Sequence, residues 1–394
     1  MTIEASRADT AAGRIRLGMV GGGQGAFIGA VHRIASRIDD RFELVAGALS
    51  SDPERARASA ADLGIDPARA YGSFAEMAEA EAARPDGIEV VSIVTPNHMH
   101  VPAAKAFLQA GIHVICDKPL SISLSEGEEL AALLKGSDRL FVLTHNYTGY
   151  PMIREARARI RAGELGELRL VQAEYPQEWL AEATETQGSK QAEWRTDPAR
   201  SGAGGCIGDI GTHAFNLASF VTGQEPSELL AQLTTFVPGR RLDDDVQILL
   251  RYSGGMRGML WASQVAVGHE NGLKLRVYGT KGGLEWTQAD PNYLWVSRLG
   301  EPKQLVTRNG AGSGPDSRRV SRIPSGHPEG YLEGFANVYT EAADAIVAAR
   351  KGERSPSADL PGIEAGLAGM QFIETAVRSS RNGCTWEPLG GSGA

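Results

Sequence analysis

Short apolar runs separated by helical stretches fill the first third of the chain. Residues 15–20 (IRLGMV) form an apolar run, GGGQGAFIG follows, AVHRIASRI spaces its apolar positions with a helical period, and FELVAGALS is apolar again. That succession predicts a βαβ unit. It continues through helical stretches at PERARASAADLG, SFAEMAEAEAA, PAAKAFLQAG and residues 121–135, alternating with the runs IEVVSIVT, HVICDK and RLFVLTHNY. Strands alternating with helices in this way predict an α/β domain with a parallel, doubly wound sheet.

Beyond residue 145 the pattern changes. ELRLVQAEYPQEW, DVQILLRYSGGMRGMLWASQVAV and LKLRVYGTKGGLEW alternate apolar with polar positions and turn at glycine pairs. A largely antiparallel, open sheet with one covered face is predicted. THAFNLASFVTG reads as a helix ahead of it, and YLEGFANVYTEAADAIVAAR and EAGLAGMQFIETAVRSS as helices after it. Residues 300–328, rich in Gly, Ser, Pro and Arg, are expected to form a long surface loop rather than a lid. The chain thus divides into a disordered lead-in (1–14), a doubly wound α/β domain (15–145) and a second α/β domain (146–394), without internal repeats.

Composition narrows the function. With 394 residues the chain suits two cores, and 42% apolar with 22% charged residues is ordinary for globular domains. A net charge of -8 offers no positive field for nucleic acid or anionic lipid. Cys116, Cys206 and Cys384 are odd in number, and no C-x-x-C pair occurs, so neither a disulfide frame nor a metal site is suggested. The opening MTIEASRADTAAGR lacks the apolar core of a signal peptide, and no apolar run approaches the roughly 18–20 residues that span a bilayer. A cytoplasmic protein without membrane or nucleic-acid partners is expected.

The strand-to-helix junction carries Gly21-Gly22-Gly23-Gln24-Gly25-Ala26, a G-x-G-x-x-A match in which glycines let backbone amides approach a pyrophosphate at the positive end of a helix. Phe27-Ile28-Gly29 offers an alternative third glycine, which would lengthen the loop by three residues. The second strand should end in an acid for the adenosine ribose, but it ends Ala48-Leu49-Ser50-Ser51-Asp52. Ser50 and Ser51 suit either ribose hydroxyls or a 2′-phosphate, with Arg55 a turn further on. NAD is favoured because no arginine directly follows the strand, and NADP is not excluded. Thr95-Pro96-Asn97-His98 ends a third strand on the edge where such sheets bind ligands. His98 and His100 are each either cofactor contacts or a helix cap and a solvated side chain.

Cys116-Asp117-Lys118-Pro119 ends another strand on that edge, where a lysine can aim its ammonium at a reacting oxygen. In the second half, Asp209 and His213 stand four apart in GGCIGDIGTH, so one helical turn sets both on a single face. Histidine suits proton transfer near neutral pH, and a neighbouring carboxylate orients it and raises its basicity. The bland alternative is a helix cap with a polar core histidine.

Taken in order, the glycine loop, TPNHMH, DKP and D-x-G-x-H resemble the Gfo/Idh/MocA family of oxidoreductases over residues 15 to about 390, with DKP in place of the commoner EKP. The resemblance implies a Rossmann domain followed by an α/β domain whose open sheet makes a homodimer or homotetramer. It implies that Lys118, Asp209 and His213 are catalytic: His213 the base, Lys118 the donor to the substrate oxygen, Asp209 the orienting carboxylate. It also implies that Asp117, Lys118, Trp194 and Arg195 approach the cofactor. Many relatives have an aspartate three residues beyond the histidine, where this chain has Asn216.

For substrate, Tyr147, Gln177, Trp179 and His327 join Lys118, Asp209 and His213 as candidates, since an aromatic face with polar donors suits a hydroxylated ring. Packing is the alternative for Tyr147 and Trp179. GAFIG, ALSS and DKPLS look most like the branch that includes levoglucosan dehydrogenase. The expected reaction is NAD(P)-dependent oxidation of a secondary hydroxyl on an anhydrosugar, a glycoside at its third carbon, or an inositol. NAD-assisted glycoside cleavage and a non-catalytic sensor are the rivals.

Overall fold

The computed structural model describes residues 13–353 and 359–390, so the expected lead-in, apart from residues 13 and 14, lies outside the described residues. Packing divides the chain into two units.

The first unit runs to Ser121 and takes in Ser125–Asn146 and Leu332–Leu367. Its elements are β1 (Ile15–Gly21), α1 (Phe27–Ile38), β2 (Phe42–Ala48), α2 (Pro53–Asp62), α3 (Phe74–Ala82), β3 (Val90–Val94), α4 (His100–Gln109), β4 (His113–Cys116), α5 (Leu124–Leu134) and β5 (Phe141–Leu143). The five strands lie in the order β2-β1-β3-β4-β5 and all pair in parallel. Every residue of β3 and β4 is buried, as expected where helices cover both faces. Strand order reverses between β1 and β3, so the loops after these strands flank the switch point where open α/β sheets take ligands.

The second unit contains α6 (Pro151–Arg161), β6 (Leu168–Pro176), α7 (Lys190–Arg195), α8 (Pro198–Ser201), α9 (Thr212–Thr222), β7 (Glu228–Thr234), β8 (Asp245–Arg251), β9 (Arg257–Ser263), β10 (Lys274–Gly279), β11 (Gly282–Thr287), β12 (Tyr293–Arg298), β13 (Gln304–Thr307) and α10 (Pro315–Arg319). The sheet has nine strands in the order β13-β12-β11-β10-β6-β9-β8-β7 with β14 (Glu387–Pro388) at the edge. It is antiparallel except for β6 against β9, which run together because the helical crossover through α9 separates β6 from the β7–β8–β9 meander. Val171, Ala173 and Tyr175 of β6 are buried on the face where α9 packs, while Leu170, Gln172 and Glu174 point the other way.

Two expectations need correction. The stretch 300–328 is not a bare loop: it holds β13 and α10 and is pinned by Arg308, which is only 2% exposed. The Arg308 guanidinium donates to Asn292 Oδ1 and to the carbonyls of Ile323, Pro324 and His327, and pairs with Glu329 at 2.9 Å. A buried cation persists only with such partners. The second difference concerns α11 (Tyr331–Arg350), which was assigned with everything after residue 145 but from Leu332 onward packs with the first unit. Its Tyr339 hydroxyl lies 2.8 Å from His32 Nδ1 and 2.9 Å from Ser92 Oγ, fastening α11 beneath α1 and β3. Burial pushes His32 down to about 4, so the ring is neutral in this network. α12 (Ile363–Arg381) then contributes its greater part to the second unit, where Phe372 stacks on Phe215 at 4.3 Å.

Tyr339→Phe removes one donor from this buried triad and should lower unfolding stability by about 1–2 kcal/mol. Urea denaturation of variant and wild type measures it, and an unchanged midpoint would show that the hydroxyl does not fasten the helix.

Candidate functional site

The glycine loop is shaped by steric demands at specific positions. Gly21, Gly22 and Gly25 adopt φ of +78°, +73° and +79°, a region L side chains avoid. A Cβ on Gly29 would lie 2.3 Å from Gly22 Cα, so α1 approaches the end of β1 backbone to backbone. The packing glycine is therefore Gly29, and the shorter G-x-G-x-x-A reading is corrected: Ala26 is the residue that caps α1, its amide closing a tight turn onto Gly23 O at 3.1 Å. Gln24 is latched to α2, with its amide donating to Ser59 Oγ at 3.0 Å and its side chain to Asp62 Oδ2 at 2.7 Å. Ile28 packs inward beside Met19 and Leu49, whereas Phe27 is 67% exposed.

These residues border a cavity of about 450 Å³ lined by Gly23, Gln24, Gly25, Phe27 and Ser59 among others. α1 starts with no side-chain cap and no acid in its first turn. Its first amides and its dipole are thus available to an anion, which fits a dinucleotide pyrophosphate. At the end of β2, Ser50 Oγ accepts from the Asp52 amide, and Asp52 caps α2 by accepting from the Arg55 amide at 2.8 Å. Ser51 and Arg55 are exposed beside that cap.

After β3, Thr95 and Pro96 are half-buried and Asn97 is buried. His100 is corrected from cofactor contact to brace: its ring is 1% exposed, with Nδ1 2.7 Å from Pro119 O and Nε2 2.9 Å from Thr95 O. It ties the loop after β3 to the loop after β4. Asp117 Oδ1 accepts from the Lys118 amide at 2.9 Å and from Thr144 Oγ1 at 3.0 Å, which fixes the turn that presents the half-buried Lys118. Burial, aided by Lys118, pushes the enclosed His145 down to about 3, so this neighbour stays neutral and adds no competing positive charge.

In the second unit the turn between Asp209 and His213 is wider than the α-helical one expected. Ile207–Gly211 is a π-helical turn, and the Thr212 amide bonds back to Ile207 O, five residues earlier. The Gly208 carbonyl displaced by this turn accepts instead from Thr212 Oγ1 at 3.0 Å. Asp209 Oδ2 accepts from Gln264 Nε2 at 2.9 Å and lies 3.3 Å from Arg195 Nε, an ion pair without hydrogen-bond alignment. His213 is 8% exposed, and the Tyr147 ring meets it edge-on at 4.9 Å.

Around this pair the candidate substrate residues separate into roles. Tyr147 is buried, and its hydroxyl lies 2.5 Å from that of Tyr175, so it fixes the His213 ring rather than offering a free hydroxyl. Gln177 donates to Asn271 Oδ1 at 2.8 Å. Trp179, Arg195 and Trp194 form a stack, with the guanidinium 5.8 Å from the first ring and 4.2 Å from the second. His327 is exposed, and it is its carbonyl that Arg308 holds. Sequence reasoning missed Tyr175, Gln264, Asn271, Arg240, Asp243 and Asp244. Of these, only the run Asp243-Asp244-Asp245 at the start of a strand carried a signal. Asp243 accepts from the Gly205 and Ile207 amides at 2.7 and 2.8 Å, bracing the start of the wide turn, and burial pushes its carboxyl up to about 6 against those donors.

Residues 15–145 match the oxidoreductase family with an NAD-binding Rossmann fold, and residues 153–285 match the GFO/IDH/MocA C-terminal domain. This chain belongs to the Gfo/Idh/MocA oxidoreductase family. As a member it is an NAD-dependent dehydrogenase whose Rossmann domain binds NAD. An oxidoreductase from Sinorhizobium meliloti of solved structure is 59% identical, covering 95% of this chain and 99% of that one with a TM-score of 0.87. An inositol dehydrogenase homolog from Azotobacter vinelandii, solved with NADH and myo-inositol, is 37% identical with a TM-score of 0.89, covering 95% and 97%. Levoglucosan dehydrogenase of Pseudarthrobacter phenanthrenivorans is 28% identical over 307 residues, 72% of this chain and 76% of the relative. Among the described residues no helix of this family member is long and apolar enough to cross a membrane.

Gly29→Ala should push α1 away from Gly22 and weaken NADH binding by about tenfold, in line with the roughly 1–3 kcal/mol of overpacking. Fluorescence titration reads the affinity, with far-UV circular dichroism as the control for folding; an unaltered dissociation constant would show that the close approach does not shape the cradle.

Proposed function

We propose that this dehydrogenase oxidises a secondary hydroxyl of a cyclic polyol or sugar ring, an inositol being the first candidate. The observation that carries this reading is Asp209, held by Gln264 and Arg195 beside the Trp179–Arg195–Trp194 stack, with His213 four residues further on. A base set against flat apolar faces suits a ring whose C–H surfaces stack while its hydroxyls meet polar groups. The inositol choice rests on the relative solved with myo-inositol, which is more similar to this chain than levoglucosan dehydrogenase is.

When bound, the nicotinamide supplies the hydride acceptor. His213 takes the hydroxyl proton, and the Tyr147 ring keeps its imidazole from turning away. Asp209, held by Gln264 and Arg195, places negative charge near the imidazolium that forms. Lys118 donates to the substrate oxygen and stabilises charge developing there. Trp179 supplies a stacking face and Gln177 a polar contact, while Ser50, Ser51 and Arg55 meet the adenosine end of NAD. This division of labour needs Lys118, Asp209 and His213 together, which a sensor or a decayed site would not.

We extend the reading to assembly and setting. On the uncovered face of the nine-stranded sheet, Leu170, Leu249, Met259, Trp295 and Leu305 are each 42–47% exposed, an apolar surface fit to be covered by a second copy. That surface supports a homodimer or homotetramer, and the free thiols of Cys116, Cys206 and Cys384 suit a reducing, cytoplasmic setting. Leu249→Glu combined with Met259→Glu should shift the protein to monomers in multi-angle light scattering; an unchanged mass would exclude this face.

The first experiment is absorbance-monitored reduction of NAD, with NADP in parallel, against myo-inositol, other inositols, glycosides and levoglucosan. His213→Ala and Lys118→Ala should each reduce turnover by about 10²–10⁴-fold while NADH affinity stays near wild type. Near-normal rates in both variants would overturn the assignment, and silence across the panel with NADH bound would turn the reading toward NAD-assisted cleavage or sensing.

A further inference from the structure

Between β7 and β8 the chain makes a turn whose buried side chains Arg240 and Asp243 reach two separate parts of the candidate site. Arg240 spends all five of its N–H donors there: Nε on Glu185 Oε1 at 3.0 Å, Nη1 on Leu180 O at 2.9 Å and Asp244 Oδ2 at 3.0 Å, and Nη2 on Glu182 O and Glu185 Oε2 at 3.0 Å each. Its side chain is 1% exposed and that of Asp244 is 0% exposed. Asp244 also accepts from the Phe236 and Val237 amides at 2.8 and 3.0 Å, closing the turn on itself. Asp243 holds the amides of Gly205 and Ile207, immediately before Asp209.

The same turn fixes Gln264. Its amide donates to Asp244 O at 2.8 Å, its carbonyl accepts from the Leu180 amide at 3.0 Å, and its side chain donates to Asp209. One strand end thus meets the helix that bears Asp209 and His213 on one side, and the segment that bears Trp179 on the other.

We propose that residues 240–245 are the positioning element of the substrate site, with Arg240 setting the Trp179 segment and Asp243 setting the turn that bears Asp209. Neither is a catalytic residue, since each acts through groups that it holds. The two arms predict different kinetic signatures. Loosening the Trp179 segment weakens polyol binding in ground state and transition state alike, whereas shifting Asp209 and His213 impairs the proton transfer. The inference rests on the roles given above to Trp179, Asp209 and His213.

The test compares the full-length wild type with Arg240→Lys, Glu185→Gln and Asp243→Asn, using NAD and myo-inositol. Glu185→Gln weakens the same clamp from its other end without leaving a buried arginine unmatched by Asp244, and so covers the case in which the arginine variant does not fold. For the Arg240 and Glu185 variants KM for myo-inositol should rise about tenfold with kcat within about threefold. For Asp243→Asn, whose amide offers one oxygen where the carboxylate offers two, kcat should fall by about tenfold or more with KM little changed. NADH affinity by fluorescence should be constant throughout. Hydrogen exchange should accelerate in residues 180–187 for the clamp variants and in 205–211 for Asp243→Asn. Parallel losses of kcat and KM in all variants, or wild-type constants in all, would overturn the proposal while a dead His213→Ala keeps the functional reading. A wild type inert toward myo-inositol but active on another ring of the panel moves the same comparison to that ring; inert toward all, it overturns both.

Discussion

The amides that open a buried helix have no preceding turn to accept them, and this chain answers that demand with one carboxylate. Asp243 takes the Gly205 and Ile207 amides into separate oxygens. With those ends fixed, the backbone can run through the wide turn Ile207–Gly211 instead of relaxing to a regular helix. The wide turn in turn decides how Asp209 and His213 stand, and Thr212 repairs the carbonyl that it leaves behind. Each link is local, but the anchor comes from a turn that lies 36 residues further along the chain. Burial raises the Asp243 carboxyl to about 6, so its charged form is held there only by the donors it satisfies.

The first unit meets its own requirement by sterics rather than by charge. Only glycine at 22 and 29 allows α1 to close on β1, and that approach leaves the uncapped start of α1 facing the cavity. His100 and Asp117 do a related job on the loops after β3 and β4, each engaging backbone there. Polar residues near the edge of a sheet are therefore of two kinds, those that face a ligand and those that hold the backbone in shape. Two residues illustrate the contrast: His100 is enclosed with both ring nitrogens on backbone carbonyls, whereas Lys118 is half-open.

That distinction marks what was legible in the sequence. The parallel sheet could be read because its strands are continuous apolar runs between helices, and the second sheet because its apolar positions alternate. Lys118, Asp209 and His213 stood out through motif order. His100 was misjudged because a histidine on a ligand edge reads alike whether it turns in or out. The parallel pairing of β6 with β9 was invisible, since the period of a strand does not reveal the direction of its neighbour. Gln264 and Arg240 were missed because their partners are 55 and up to 60 residues away, beyond any local pattern. The packing of α11 with the first unit likewise depends on Tyr339 meeting His32, a contact 307 residues apart.

How Arg240 grips its target has a consequence for substrate range. It takes the carbonyls of Leu180 and Glu182, and of the segment's side chains it takes Glu185, while Trp179 lies outside the grip. An anchor on backbone carbonyls does not depend on which side chains the segment presents, since every residue has a carbonyl there. The side chains that the segment presents, Trp179 among them, can therefore change without loosening its support, provided that Glu185 and the buried pair Arg240–Asp244 are kept. Under the function proposed above, that arrangement separates two demands: backbone contacts hold the turn that bears Asp209, and a variable surface on a fixed anchor meets the ring.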